Sequence, residues 1–227
     1  MSTEREMSEH EPIRLVCFDW GGVILRICRS FAEGCAAAGL PVRADVQDTV
    51  LAQHRRKVAW RYQRGELSCE EYFQLASEQT DGLYTPDEVR LIHDAWLLEE
   101  YPGVGEIVER LGATPGVETG LLSNTNPRHW LRRLPGGIDG LPHFPTIEKL
   151  SHRHASHLLG EAKPDEAVYR RFEQESGFDA PSILFFDDLE DNIEAARKAG
   201  WNAVLIDHEG DTAAQIEAAL RRLRVWG

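Results

Sequence analysis

The chain has 227 residues, enough for one domain or for one domain with an insertion. Acidic residues outnumber basic ones 38 to 25, giving a formal charge of -13, which argues against duplex nucleic acid and anionic membrane surfaces as partners. A phosphorylated small molecule stays open, because a bound metal ion reverses the local field.

No apolar run approaches the ~20 residues of a membrane span. The first ten residues are polar and lack the apolar core of a secretion signal, so they read as a frayed tail. Cys17, Cys28, Cys35 and Cys69 show no paired metal-binding spacing. Together these features make the cytoplasm the expected location.

The first predicted strand covers residues 13–18 and runs directly into Asp19, followed by Trp20 and the glycine pair Gly21-Gly22. Residues 27–100 then show helical patterns and no convincing strand. Helices are predicted over 44–62, 68–77 and 86–98. Ser68 to Glu71 reads as a capping box, and Thr85 to Glu88 offers a capping threonine, a first-turn proline and acids at the positive helix end. The basic stretch 54–66 reads as a solvated face paired with nearby acids, while Trp60 and Tyr62 fit either a packed interior or a stacking surface. Tyr101-Pro102-Gly103 is the natural return hinge.

Beyond it, a helical pattern at 103–111 precedes a strand at 117–122 that ends in Ser123-Asn124. His143, His152, His154 and His157 are irregularly spaced and read as a hydrogen-bonded loop rather than a zinc site. Lys163-Pro164 introduces a helix at 165–175. A strand at 183–186 follows and ends in Asp187-Asp188, then a helix at 191–199, a strand at 203–206 and a closing helix at 212–223. This alternation predicts an α/β fold, a doubly wound parallel-sheet, Rossmann-like core with an inserted helical cap. The core would comprise residues 1–26 and 101–227, and the cap residues 27–100.

Ligands of such sheets bind beyond the carboxyl ends of the strands. Asp19, Ser123, Asn124, Asp187 and Asp188 would gather there. Three carboxylates in one place repel one another unless a cation holds them, and hard oxygen donors suit magnesium. A lysine at position 163 could orient the nucleophile and hold a phosphate oxygen.

In this arrangement the sequence resembles the haloacid dehalogenase superfamily. Four ordered signatures carry the resemblance: "FDWGGV" (18–23), "LLSNTN" (121–126), "AKPDEAVY" (162–169) and "FFDDLEDNIEAARKAG" (185–200). The resemblance is to the branch that includes glucose-1-phosphatase-like enzymes and the phosphatase domain of epoxide hydrolases. It implies a magnesium-dependent phosphomonoesterase that acts through an aspartyl-phosphate on a small sugar phosphate or similar metabolite. Asp19 would be the nucleophile, and Ser123 and Lys163 would hold the transferring oxygens. Asp19, Asp188, the Gly21 carbonyl and, further out, Asp187 would serve the metal. Trp20 and Asn124 would contact substrate, and Asn192 would play a supporting part.

The superfamily's usual second acid, which protonates the leaving oxygen, is replaced here by Gly21. Such help is worth ~10²–10⁴ in rate, so this enzyme should be slower on poor leaving groups, recruit another proton donor or use metal-bound water. Two rivals follow from the same signatures. One is a metal-independent 2-haloacid dehalogenase, against which the late acids Asp187-Asp188 weigh. The other is a non-catalytic phospholigand binder made inert by Gly21. A signalling receiver domain would carry its paired acids early in the chain, and Gly103-Val104-Gly105 lacks the context of a dinucleotide site.

Overall fold

The computed structural model describes residues 11–43 and 49–226. The predicted tail over 1–10 and the first part of the helix predicted from 44 lie outside the described residues.

Five short strands form one parallel sheet in the order β5-β4-β1-β6-β7. They are β1 (Leu15–Phe18), β4 (Glu118–Ser123), β5 (His152–Ala155), β6 (Ile183–Asp187) and β7 (Asn202–Leu205). β1 lies at the centre, in register with β4 on one side and β6 on the other. All four of its residues are buried, as expected of a strand covered on both faces.

The alternation along β1 and β6 divides the interior in two. Val16, Phe18, Leu184 and Phe186 face α5 (Val104–Gly112) and α10 (Thr212–Arg222), meeting Ile107, Leu111, Ile216 and Leu220. Leu15, Cys17, Ile183 and Phe185 face α8 (Glu166–Ser176) and α9 (Glu190–Lys198), meeting Phe172, Ile193 and Trp201. Helices therefore cover both faces, and the sheet is doubly wound.

Between β1 and β4 lies the helical segment. It contains α1 (Phe31–Ala37), α2 (Thr49–Gln63), α3 (Cys69–Glu78) and α4 (Pro86–Asp94), with an apolar cluster of its own around Cys35, Phe73, Tyr84 and Ile92. The predicted capping box of Ser68 with Glu71 forms, and the predicted Thr85 cap proves to be a second one, with Glu88. Each cap satisfies helix-end N–H groups and stabilises its helix by about 1 kcal/mol.

The expectation that 27–100 holds no strand is corrected. β2 (Leu25–Ile27) and β3 (Leu97–Glu100) form an antiparallel ribbon at the root of the helical segment. α4 therefore stops at Asp94 rather than continuing to 98, because Leu97–Glu100 pairs across the ribbon. The ribbon is prolonged at Tyr101, whose N–H donates to the Ile24 carbonyl at 2.9 Å. A second correction concerns the histidine-rich segment, where β5 is an edge strand and α7 (Ser156–Leu159) follows it. His152 pairs with Glu118 at 2.7 Å and His154 with Glu175 at 3.1 Å, so each imidazole has a carboxylate partner.

Among the described residues no helix is long and apolar enough to cross a membrane. All four cysteines are free thiols.

Candidate active site

The carboxyl ends of β1, β4 and β6 deliver three groups to one edge of the sheet. Asp19 follows β1 directly, and its N–H donates to the Phe186 carbonyl at 2.8 Å, so its backbone is fixed by the sheet ladder. Ser123 ends β4 and Asp187 ends β6. Asp188 follows, and oxygens of Asp19, Asp187 and Asp188 lie within 4.8 Å of one another.

Lys163 enters from the loop before α8 and is completely enclosed. Its Nζ lies 2.6 Å from Asp187 Oδ2 and 3.0 Å from Asp19 Oδ1. Burial pulls the ammonium's pKa down, but Asp187 and Asp19 outweigh that and hold it above the ordinary lysine range. A buried ammonium between two carboxylates stays charged for this reason.

Asp187 is fully occupied. Asn192 Nδ2 donates to both of its oxygens at 3.0 Å, the Leu189 N–H donates to Oδ1 at 2.9 Å, and Lys163 holds Oδ2. A carboxylate has about four lone-pair sites, and here protein donors fill them. Asp187 therefore anchors Lys163 rather than offering open ligand positions. Asn124 has a similar role on the other side. Its amide donates to the Lys163 carbonyl at 2.7 Å and accepts from the Lys163 N–H at 2.9 Å. The amide expected to touch substrate is thus engaged in positioning the lysine.

Asp19 is different. Its Oδ1 is buried and lacks hydrogen-bond geometry to any group, although Lys163 is within ion-pair distance. Burial pushes the carboxyl up to about 7, with Lys163 pulling it down and Asp187 and Asp188 raising it further. A buried carboxylate oxygen met only by an ammonium at ion-pair distance, in a pocket of three acids, has room to ligate a divalent cation, and the hard donors of Asp19 and Asp188 fit magnesium.

Asp188 is held in place by two features. Arg29 Nη1 donates to its Oδ2 at 2.6 Å. Gly22, at φ +85, packs so closely that a Cβ there would lie 2.3 Å from the Asp188 carboxyl carbon. Glycine is required by both the backbone conformation and the space. At Gly21 a Cβ would meet only the tip of Ile27, at 2.9 Å.

A cavity of about 610 Å³, reaching Trp20 and Gly21 next to Asp19, opens between the sheet edge and the helical segment. Ser123, Asn124, Trp20 and Gly21 belong to its floor, and Phe31, Tyr62, Tyr72, Ile92 and Trp96 belong to its roof. Trp20 stands edge-on to Trp130 at 6.2 Å, and its ring is nearly enclosed, so it contributes wall. Tyr62 stacks on Tyr72 at 4.2 Å, which settles it as part of the cavity's aromatic lining. In the basic stretch, Arg61 and Arg64 pair with acids as expected, whereas Arg55 and Arg56 also line the cavity.

The groups that join roof to floor leave no mark in the sequence pattern. Arg128 makes a two-point ion pair with Asp94 at 2.5 and 2.8 Å. His129 stacks on His93 with ring centroids 3.8 Å apart, and its Nε2 lies 2.8 Å from the His93 carbonyl. Arg29, Asp94, His93 and His129 follow no motif spacing, and their partnerships arise only through tertiary convergence.

A buried carboxylate, a clamped lysine and a second acid thus meet at the carboxyl edge of a doubly wound sheet, beside an open cavity. The family model described as haloacid dehalogenase-like hydrolase matches residues 13–200, and the chain belongs to that family. Phosphatase MT3486 from Mycobacterium tuberculosis is 43% identical over 58 residues, a match spanning 26% of this chain and 27% of that relative. The magnesium and inorganic phosphate complex of the HAD family enzyme bt-2542 from Bacteroides thetaiotaomicron superposes with a TM-score of 0.69. It is 18% identical and the match covers 88% of this chain and 96% of that one. An L-2-haloacid dehalogenase from Xanthobacter autotrophicus superposes at 0.60 with 18% identity, covering 92% and 83%. At these identities the structures share the fold.

Proposed function

We propose that this hydrolase is a magnesium-dependent phosphomonoesterase of small phosphorylated metabolites, acting through phosphorylated Asp19. The observation that carries the reading is the state of Asp19. It is buried, faced by Lys163 at 3.0 Å, close to Asp188, and has an oxygen without a hydrogen-bond partner.

In the first step an Asp19 oxygen attacks phosphorus while the bond from phosphorus to the ester oxygen breaks. The electron pair stays with the departing oxygen. Water then attacks phosphorus, the bond to Asp19 breaks, and inorganic phosphate leaves. Lys163 faces the equatorial oxygens and limits their repulsion with Asp19. Ser123, whose hydroxyl makes no protein hydrogen bond among the described residues, is free to donate to one of them. Asp187, Asn192 and Asn124 keep Lys163 in position. Asp19, Asp188 and the Gly21 carbonyl would hold magnesium, which supplies charge neutralisation between carboxylate and phosphate.

A metal-free dehalogenase has no cation for a second acid such as Asp188 to hold, so the late Asp187-Asp188 pair weighs against that reading. The relative bound to magnesium and phosphate lends support from the same fold. The reading includes the division into a core of 1–26 and 101–227 and a cap of 27–100, with the ribbon of β2 and β3 as its root. It also includes a cytoplasmic setting, which the four free thiols favour.

The test is phosphate release from a panel of phosphomonoesters with magnesium or with a chelator, for wild type and Asp19→Asn. Turnover should require magnesium and fall by roughly four orders of magnitude or more in the variant, as when other nucleophiles are removed. Unchanged turnover by Asp19→Asn, or chloride release from a chloroacid without metal, would overturn the reading.

A further inference from the structure

We propose that the cavity accepts an aromatic phosphomonoester, its ring in the chamber formed by Phe31, Tyr62, Tyr72 and Trp96 and a polar ring substituent at His93. This rests on the phosphomonoesterase reading and names the substrate class of the same site.

Size comes first. At about 610 Å³ the cavity far exceeds a phosphate group and falls within the ~300–1,000 Å³ of pockets that enclose a whole small molecule. The space beyond the phosphate is therefore meant for the leaving group.

The lining then limits what that group can be. Aromatic and aliphatic side chains dominate the roof, and several of the polar groups among them are already engaged. The Tyr62 hydroxyl lies 3.0 Å from Cys69 Sγ. Arg55 reaches the Gln79 carbonyl at 3.3 Å and lies over the Phe31 ring. Arg29 holds Asp188, and Asn126 Nδ2 lies 3.1 Å from His129 Nδ1. Arg56 is exposed to solvent. A sugar would bring a ring of hydroxyls into this chamber, and each one left unpaired on burial weakens binding by about tenfold. A flat aromatic ring has no such requirement and can stack on the tyrosine and tryptophan faces.

His93, like the Trp20 indole N–H on the floor, is a buried polar group of the lining without a partner. It lies at the end of α4, is only 7% exposed, and neither ring nitrogen has a hydrogen-bond partner. Nδ1 is 4.0 Å from Asp94 Oδ1, beyond hydrogen-bond reach. Tyr62, Tyr72 and Phe73 surround the ring, and His129 stacks on it. Burial pushes its pKa below the ordinary histidine range, so the imidazole is neutral and offers one donor and one acceptor. A buried, unpartnered polar ring on a cavity wall needs an explanation, and a ligand group that meets it supplies one.

The loop after Asp19 supports the same conclusion independently. It carries Trp20, Gly21 and Gly22, and none of these is an acid. As Asp19 bonds to phosphorus, the leaving oxygen must depart with its electron pair and take its proton from solvent afterwards. A phenol-like group, pKa ~10, does this far more readily than an aliphatic alcohol, whose acidity is near that of water at ~16.

The experiment is calorimetric binding, with magnesium present, of three non-hydrolysable probes: 4-hydroxybenzylphosphonate, benzylphosphonate and a glucosyl methylphosphonate. The inference expects both aryl probes to bind at least about tenfold tighter than the sugar probe, a gain of the size that aromatic stacking gives. His93→Phe should weaken the hydroxylated probe by about tenfold, the loss of one hydrogen bond, and leave benzylphosphonate within about twofold. If His93→Phe fails to fold, His93→Gln, which keeps a donor and an acceptor, should preserve the preference for the hydroxylated probe. Equal or tighter sugar binding by the wild type overturns the inference, as does an equal effect of His93→Phe on both aryl probes. Hydrolysis of sugar phosphates with aryl phosphates spared sinks this inference and leaves the phosphomonoesterase reading standing. Aryl-selective binding without any turnover does the reverse.

Discussion

The floor and the roof of the cavity are built on opposite principles. On the floor, charged groups are crowded together and tied down: Lys163 is held by Asp187, Asp187 by Asn192, and the lysine backbone by Asn124. On the roof, aromatic rings touch at ordinary packing distances around the unpartnered His93 imidazole. The floor hangs from strand ends, whose backbones are fixed by the sheet ladder. The roof hangs from helices joined to the sheet through a two-stranded ribbon. The difference suggests a division of labour, with reaction chemistry written in charges below and choice of leaving group written in surfaces above.

The largest effect that would sharpen this contrast lies on the floor. Lys163→Met leaves Asp19 and Asp187 facing each other without a cation. Removing one partner of a buried ion pair costs about 3–5 kcal/mol, and denaturant melts in the absence of magnesium should show a loss of that size. A loss below about 1 kcal/mol, the level of an exposed pair, would mean that the floor is not electrostatically clamped at all.

A smaller effect concerns the joint between the two regions. Burial pushes the Asp94 carboxyl up, but the two-point hydrogen bond from Arg128 outweighs it and holds it below the usual carboxylate range. A carboxyl depressed on folding contributes stability above its unfolded pKa of ~3.9, and loses it as pH falls through that value toward the folded one. Arg128→Met should therefore lower the melting temperature at pH 7 and reduce the further drop between pH 5 and 3. Parallel melting curves for wild type and variant across that range would break the assignment.

The smallest effect tests the loop that separates floor from roof. Gly21→Asp must displace only the flexible tip of Ile27, which lies 2.9 Å from a Cβ built there. Its stability cost should be about 1 kcal/mol. It should raise turnover of alkyl phosphates by up to roughly 10², the low end of general acid help, while leaving aryl phosphates almost unchanged. An equal gain on both ester classes would detach leaving-group acidity from position 21.

The floor was legible in the sequence and the roof was not, for a physical reason. Strands β1, β4, β6 and β7 read as apolar runs, and each is followed by polar residues, so Asp19, Ser123, Asp187 and Asp188 could be assigned to one sheet edge. β5 escaped because "HRHA" is a polar edge strand of four residues, with only Ala155 buried. The ribbon escaped because Leu97–Glu100 continues the helical pattern of α4 by eye, and strand pairing overrides it. His93 and His129 are 36 positions apart and meet only after α4 and α6 (Pro127–Leu131) are packed. The helical segment has no strand ends to point to, so its contribution depends on packing that no short spacing records.

Gly21 and Gly22 are twins in a string of letters. In space one borders a yielding isoleucine and the other abuts a carboxylate and a guanidinium. Drift across descendants of this chain can therefore explore the first position, where a new side chain would rewrite the chemistry. The second is frozen, because any heavier occupant would push Asp188 out of place before selection could weigh a benefit.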